Sequence, residues 1–286
     1  MIKLQSGEQK VMTEFIYSLC SITLDQSKGY LIESRLSNVA EDSGCASFSQ
    51  LMSRARTDPS GAIKRRIVDS ITTGETLFFR DSAPFELLRN KIIPDLIDSR
   101  MRSKSALPIR IWSAACSTGQ EIYSIAMLLN DLLRDSSKIS VRLLGTDISD
   151  QAVARASKGI YGEVEMSRGL PPHQRDRYFR QVPEGWQIRD EIRGMASFKK
   201  LNLMSNLSAL GKFDIVFCRN VAIYFSDHDR LSLFNRIEKV IERDGYLVIG
   251  AMESLAGLCP QYEAKRHVRS VYYQVRPASE REVSRI

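Results

Sequence analysis

No apolar run in this 286-residue chain is long enough to cross a bilayer, which excludes a membrane-spanning helix. The opening stretch MIKLQSGEQKVMTEF lacks the apolar segment of a secretory signal, so the protein is expected to stay in the cytoplasm. Histidine is scarce: His173, His228 and His267 are scattered, and none falls at H-x-x-x-H spacing or beside a cysteine, which argues against a metal site. Cysteine is equally uninformative as a framework. Cys20, Cys45, Cys116, Cys218 and Cys259 are odd in number and hold no C-x-x-C pair, which fits buried free thiols better than disulfides or zinc. What the chain does have is apolar residue, 43%, enough for a real core, and a formal net charge of +7. That charge fits an acidic partner: nucleic acid, an anionic membrane surface or an acidic protein face.

The first hundred residues read as helical. Val11, Met12, Phe15, Ile16 and Leu19 recur at helical spacing over Glu8–Ile22. A second helix follows Asp25, with Tyr30, Leu31, Leu36 and Val39 inward and Gly44 at its end. Phe48–Arg56, Ala62–Ile71 and Ala83–Met101, broken near Pro94, continue the pattern. From Pro108 the pattern changes. The apolar strands Ile109–Ala115, Val141–Thr146, Phe213–Cys218 and Gly245–Ala251 alternate with helices at Gln120–Leu133, Asp150–Ser157 and Asp227–Ile241. Such alternation predicts an α/β fold with a parallel sheet covered on both faces. Tyr262–Val275 alternates and suits a terminal hairpin. Lys158–Lys200 breaks the rhythm and reads as an insertion with a short helix near Gln174–Phe179. Its strand pieces Tyr178–Val182, Trp186–Arg189 and Ala196–Leu201 would form a small antiparallel sheet. The division expected is a helical domain over 1–80, a linker helix region over 81–107, and a ligand-binding domain over 108–286 with the insertion at about 158–198.

Four segments carry the chemistry. In Ile109-Arg-Ile-Trp-Ser-Ala-Ala-Cys-Ser-Thr-Gly-Gln-Glu121, a strand runs through small residues and Gly119 into a helix, which is where a doubly wound sheet binds nucleotides. One glycine instead of G-x-G-x-x-G disfavours NAD or FAD, and an ordinary tight turn is the alternative. In Leu143-Leu-Gly-Thr-Asp147, the acid at the next strand end suits two ribose hydroxyls. It could instead cap the helix that follows. Phe213–Phe225 ends its strand at Arg219-Asn220, on the ligand-binding edge, without the Pro-Pro-aromatic motif of amino-nitrogen methylation. That absence lowers the nucleic-acid reading, and Phe225 reads as core packing. In Ser70–Arg80, Phe78 and Phe79 read as core, while Arg80 suits a bidentate contact to a carboxylate unless it serves a structural ion pair.

Together, T-G-E-T-x-F-F-R, W-S-A-A-C-S-T-G-Q-E-x-Y-S, T-D-I-S and F-C-R-N-V-x-I-Y-F resemble the chemotaxis receptor glutamate O-methyltransferase family, the CheR type, from about Ile67 to Val275. The resemblance implies a Rossmann-like class I methyltransferase domain with an inserted small antiparallel β-subdomain, preceded by an all-α N-terminal domain. It implies S-adenosyl-L-methionine as the methyl donor, with S-adenosyl-L-homocysteine as product and inhibitor. Carried over by position, Thr76 and Arg80 border the donor's methionine end, with Gly74 beside them. Glu121 contacts the donor near the glycine turn, Asp147 holds the ribose, Asn202 and Leu203 flank the adenine, and Asn220 and Val221 line the sulfonium end. The family often has Asn where this chain has Gly74, so one polar contact is expected to be lost or replaced. Gln120 stands where an acid is common and Ile122 where proline is common, and neither removes an essential group.

The implied reaction is displacement at the sulfonium methyl by a glutamate carboxylate. That group is ionised at neutral pH, its reference pKa being about 4.3, and needs no general base. Arg80 is the residue expected to orient it, with Tyr224 beside the reacting centre. The partner implied is the cytoplasmic helical domain of methyl-accepting chemotaxis receptors, steered by Lys28, Arg35, Arg54, Arg56, Lys64, Arg65 and Arg66. The short turn Arg180–Trp186 points away from a receptor pentapeptide tether, and a monomer is expected. A non-catalytic sensor of S-adenosylmethionine and a methyltransferase on another acidic macromolecule are the alternatives.

Overall fold

The computed structural model describes residues 2–103, 108–134 and 139–277, so the end of the 81–107 region and the last nine residues lie outside the description. Four helices come first: α1 (Glu8–Cys20), α2 (Gly29–Asp42), α3 (Phe48–Thr57) and α4 (Ala62–Ile71). Their apolar faces meet in one core, Met12, Phe15 and Ile16 against Ile32, Leu36, Phe48, Leu51 and Ile67. Such helices are held by burial of one stripe more than by propensity. In α2 the inward position belongs to Ile32, while Tyr30 stands 63% exposed. The helix starts only at Gly29, which sets its stripe at Ile32, Leu36, Val39 and Ala40. Similarly, Val11 of α1 is exposed.

A connecting segment follows, α5 (Ser82–Leu87), a π-helical turn over Leu88–Ile92 and α6 (Ile93–Ser103). The break expected at Pro94 therefore takes the form of a widened turn just before it. Ile93 N–H bonds to Leu88 O, five residues back. Pro94 has no N–H to continue the regular ladder, and the wider turn absorbs the mismatch.

Then come β1 (Ile109–Ala114), α7 (Gln120–Leu132), β2 (Val141–Asp147) and α8 (Asp150–Lys158). The insertion supplies β3 (Ile160–Tyr161), α9 (Glu163–Ser167), α10 (Pro172–Tyr178), β4 (Phe179–Val182), β5 (Gly185–Ile188) and α11 (Asp190–Arg193). The chain ends with β6 (Ala196–Lys200), β7 (Phe213–Cys218), α12 (Asp227–Val240), β8 (Ile241–Ile249), β9 (Tyr262–His267) and β10 (Ser270–Val275).

The main sheet has the order β6-β2-β1-β7-β8-β10-β9, parallel through β8 and closed by the antiparallel hairpin β9–β10. Successive strand residues feed opposite faces. Ile111 and Ile215 enter one core layer, while Trp112 and Val216 enter the other. The chain steps from β1 to β2 on one side and returns to β7 on the other, which opens a crevice at their carboxyl ends.

The small antiparallel sheet has the order β3-β5-β4. Ala196–Leu201, expected as its third piece, instead extends the main sheet as β6, parallel to β2 with Leu143 opposite Ala196. Its partly buried Ala196 and Phe198 pack on the main core beside Tyr123. The third place in the small sheet goes to Ile160–Tyr161, two residues that show no alternation to read.

The helical domain docks on the crevice. Tyr17 Oη donates to Asp229 Oδ2 at 2.9 Å, and Thr23 N–H donates to Tyr224 O at 2.9 Å. Arg65 lies 3.8 Å from Asp150 at the start of α8.

Candidate functional site

One cavity of about 310 Å³ fills the crevice, and Gly74, Thr76, Arg80, Glu121, Asp147, Asn202, Leu203, Asn220, Val221 and Tyr224 all line it. Residues more than a hundred positions apart thus converge on one site. Phe225, read as core, lines the same cavity while packing partly against the core. Phe78 is fully buried, edge-on to Tyr161 and Phe179.

The backbone around the cavity is strained. Seven non-glycine residues with positive φ occur among the described residues. Ala115, Ser117 and Asn220 line the cavity, Phe79 and Asp81 flank Arg80, and Ser21 lies between the lining residues Cys20 and Ile22. Strain of this kind persists where the surroundings over-determine the conformation, and it clusters at sites that must present groups to a ligand.

Asp147 ends β2 with both oxygens partly used. Oδ2 accepts from Ser117 N–H at 2.8 Å and Oδ1 from Ser149 N–H at 2.9 Å. The cap of α8 is Ser149, whose Oγ accepts from Ala152 N–H at 3.1 Å, so Asp147 is not the helix cap. Asp147 lines the cavity, and a carboxylate oxygen that accepts one such bond has capacity for another. Burial pushes this carboxyl above the usual range, against the backbone N–H groups that lower it. Donors from a ligand, such as a vicinal diol, would relieve that cost.

Arg219 is the ionic hub, its side chain 1% exposed. Nη1 donates to Glu121 Oε2 at 2.8 Å, and Nη2 donates to Asp81 Oδ2 at 2.7 Å and to Arg80 O at 2.8 Å. Ser113 Oγ donates to the other Glu121 oxygen at 2.8 Å. The loop over Thr76–Arg80 is also held by Phe79 N–H donating to Ser124 Oγ at 2.9 Å. Arg219 takes Asp81 and Glu121, and Arg80 meets no carboxylate among the described residues. Its one contact is to Glu75 O at 3.3 Å. The buried Cys116 and Cys218 thiols are pushed well up, chiefly by burial and then by nearby carboxylates, which leaves both inert as nucleophiles.

Asn220 is held from behind. Glu253 Oε2 accepts from Asn220 N–H at 2.8 Å and from Gly250 N–H at 2.7 Å. Asn202 Oδ1 accepts from Met204 N–H at 2.9 Å, which fixes the turn that carries Leu203. Tyr224 Oη has no hydrogen-bond partner among the described residues.

Sequence reading missed Arg219, Glu253 and the wall formed by Cys20, Ile22, Asp69, Thr72 and Thr73 of the helical domain. A cation closing the mostly apolar strand Phe213–Cys218 was a usable signal for Arg219. Nothing in the pattern marked the helical wall.

Gly74 is not required by sterics. A Cβ there would stand 3.7 Å from Ser117 Oγ, an ordinary contact, and its φ is not left-handed. Gly74→Asn should therefore fold normally, with stability up by about 0.4–1 kcal/mol from the stiffer unfolded chain. Binding of S-adenosylmethionine should tighten by about 0.5–1.5 kcal/mol if the amide regains one hydrogen bond. Thermal melts with calorimetric titration check this, and a clear loss of stability would refute the open space.

All of these groups fit S-adenosylmethionine: a carboxylate with spare lone pairs for a ribose, an unpaired guanidinium, and backbone exposed by strained turns. Comparison with known proteins agrees. The family description "CheR methyltransferase, SAM binding domain" matches residues 74–270, and "CheR methyltransferase, all-alpha domain" matches residues 10–72. The chain is 38% identical over 266 residues to chemotaxis protein methyltransferase Cher2 of Pseudomonas putida, covering 92% of this chain and 95% of that one. It is 37% identical over 266 residues to chemotaxis protein methyltransferase 1 of Pseudomonas aeruginosa, with the same two shares of 92% and 95%. It is 36% identical over 278 residues to chemotaxis protein methyltransferase 1 of Vibrio cholerae, covering 96% of this chain and 99% of that one.

Proposed function

The chain belongs to the CheR methyltransferase family, and from that premise we propose that it esterifies glutamate side chains on the cytoplasmic helical domain of chemotaxis receptors. It is an S-adenosylmethionine-dependent methyltransferase of chemotaxis. The observation that carries the carboxylate reading is Arg80: a guanidinium in the cavity with no ion-pair partner among the described residues.

S-Adenosylmethionine, when bound, supplies an electrophilic methyl group on a sulfonium. Asp147 would hold its ribose, Asn202 and Leu203 its adenine, and Thr76, Glu121, Asn220 and Val221 its methionine and sulfonium portions. Arg80 receives the incoming carboxylate by a charge-assisted contact and sets one oxygen toward the reacting centre. Tyr224 Oη is free to donate to the same carboxylate. No residue takes a proton, because the nucleophile arrives ionised. The helical wall of Cys20, Ile22 and Thr72 excludes water, which favours a step in which opposite charges meet. The turn between β4 and β5 is only Pro183-Glu184, which supports docking without a pentapeptide tether.

Arg80→Ala should lower methyl transfer at saturating donor by about 10–100-fold, the worth of a lost hydrogen bond to a charged group. Initial rates into receptor-bearing membranes measure this. An unchanged rate would remove Arg80 from the mechanism.

A further inference from the structure

The cations expected to steer an acidic partner are largely spent on the fold. Lys28 pairs with Asp25, Arg65 with Asp150 and Arg66 with Asp42. Arg35 and Arg54 bond to backbone carbonyls, and Arg56 lies over Phe15. Unspent positive charge stands elsewhere, at the tip of the β9–β10 hairpin. Arg266 and Arg269 are exposed there and have no ion pair among the described residues. Between them Val268 is 78% exposed.

Val268 is anomalous twice. It is a large apolar side chain in water, and its φ is +51° at the first position of a two-residue turn. That position favours glycine, and a β-branched residue there is strained. The Val268 side chain joins none of the hydrophobic clusters of the described residues.

The hairpin tip belongs to the cavity's edge of the sheet. β10 runs antiparallel to β8, so its first residue lies near the carboxyl end of β8. Ser270 Oγ donates to Ala83 O at 2.8 Å, three residues past Arg80. Met252, 92% exposed, follows β8, and Ile223, 54% exposed, lies in the 3-10 turn Ala222–Tyr224 that follows β7, so both stand past carboxyl ends of strands in the same sheet.

We propose that Arg266, Val268 and Arg269, continued by Met252 and Ile223, form the docking platform for the acidic helical segment that carries the accepting glutamate. The inference rests on the carboxylate-methyltransferase reading above. The two guanidinia meet the segment's other carboxylates, and the apolar side chains meet its aliphatic stems. The competing role is protection of an edge strand, since charges on β9 also deter strand pairing.

The test uses the full chain, receptor-bearing membranes and labelled S-adenosylmethionine, with label scored as methanol released by mild base. The double variant R266E/R269E should raise KM for receptor about tenfold at low salt, with kcat and donor affinity unchanged and the difference shrinking at high salt. Val268→Gly relieves the turn, so it should keep or raise Tm while also raising KM. An unchanged KM in both variants, or aggregation of the double variant with unchanged KM, overturns the docking role alone. Absence of base-labile transfer by the unmodified protein overturns the functional reading, and the docking role with it.

Discussion

Arg219→Met should cost about 3–5 kcal/mol of stability, the range for removing one partner of a buried ion pair. The arginine side chain is 1% exposed and Glu121 14%, so methionine would fill the volume and leave Glu121 a buried, uncompensated anion. Asp81 is 46% exposed and loses less. The same change frees Asp81 to compete for Arg80 and removes the bond to Arg80 O. Donor binding should therefore fail along with stability. Arg219→Lys keeps the charge but cannot fork to both acids, so it should fall between the two. Urea unfolding with calorimetric titration measures both quantities. A loss below about 1 kcal/mol would mean that water reaches these acids and that the hub is weak.

Gly169→Ala should be the most damaging change in the inserted subdomain, although Gly169 does not line the cavity. Its φ is +84°, and a Cβ there would stand 2.0 Å from Phe78 O and 2.9 Å from Leu77 Cδ1. The left-handed backbone costs an L-residue about 1–2 kcal/mol. The clash with backbone cannot be relieved by turning a side chain, so the Thr76–Arg80 loop must shift. Displacing a positioning group by about 1 Å can cost on the order of a hundredfold in rate. The expected result is a methyl-transfer rate reduced by at least that factor with only a moderate fall in Tm. A fall in Tm with kcat preserved would show that the subdomain does not support the loop. Gly74→Asn, where a Cβ meets only Ser117 Oγ at 3.7 Å, is the matched control.

Much of this was legible from residue order. Long apolar strands alternating with helices specify a parallel sheet, and Asp147 ends a strand while Gly119 and Asn220 follow strand ends, where such sheets bind ligands. The lining residues carried over from the family's motifs converge in one cavity because those motifs sit at strand ends and in the Thr76–Arg80 loop. What stayed hidden depended on long-range pairing. Ala196–Lys200 looks like a hairpin arm locally and becomes a main-sheet edge only because β2 has a free side to accept it. Ile160–Tyr161 is too short to show a period. Leu36 and Val39 are buried as expected, but the first turn was read inward at Tyr30 where the helix, starting at Gly29, buries Ile32. Arg219 stood out only as a cation at a strand end, since its partners Asp81 and Glu121 lie far off in sequence, and no local pattern marked Glu253. The helical wall of Cys20, Ile22 and Thr72 follows from how one domain docks on the other, which periodicity does not encode.

The central claim is that a carboxylate is the atom group methylated, and the nature of the new bond tests it most directly. The protein would be incubated with radiolabelled S-adenosylmethionine and receptor-bearing membranes from the source organism, and the labelled receptor then exposed to mild base. The prediction is label on the receptor that base releases as volatile methanol, and loss of that label in Arg80→Ala. Label that survives base would place the methyl group on nitrogen or sulfur and contradict the account. Tight donor binding with no transfer to any receptor would point instead to a sensor of S-adenosylmethionine.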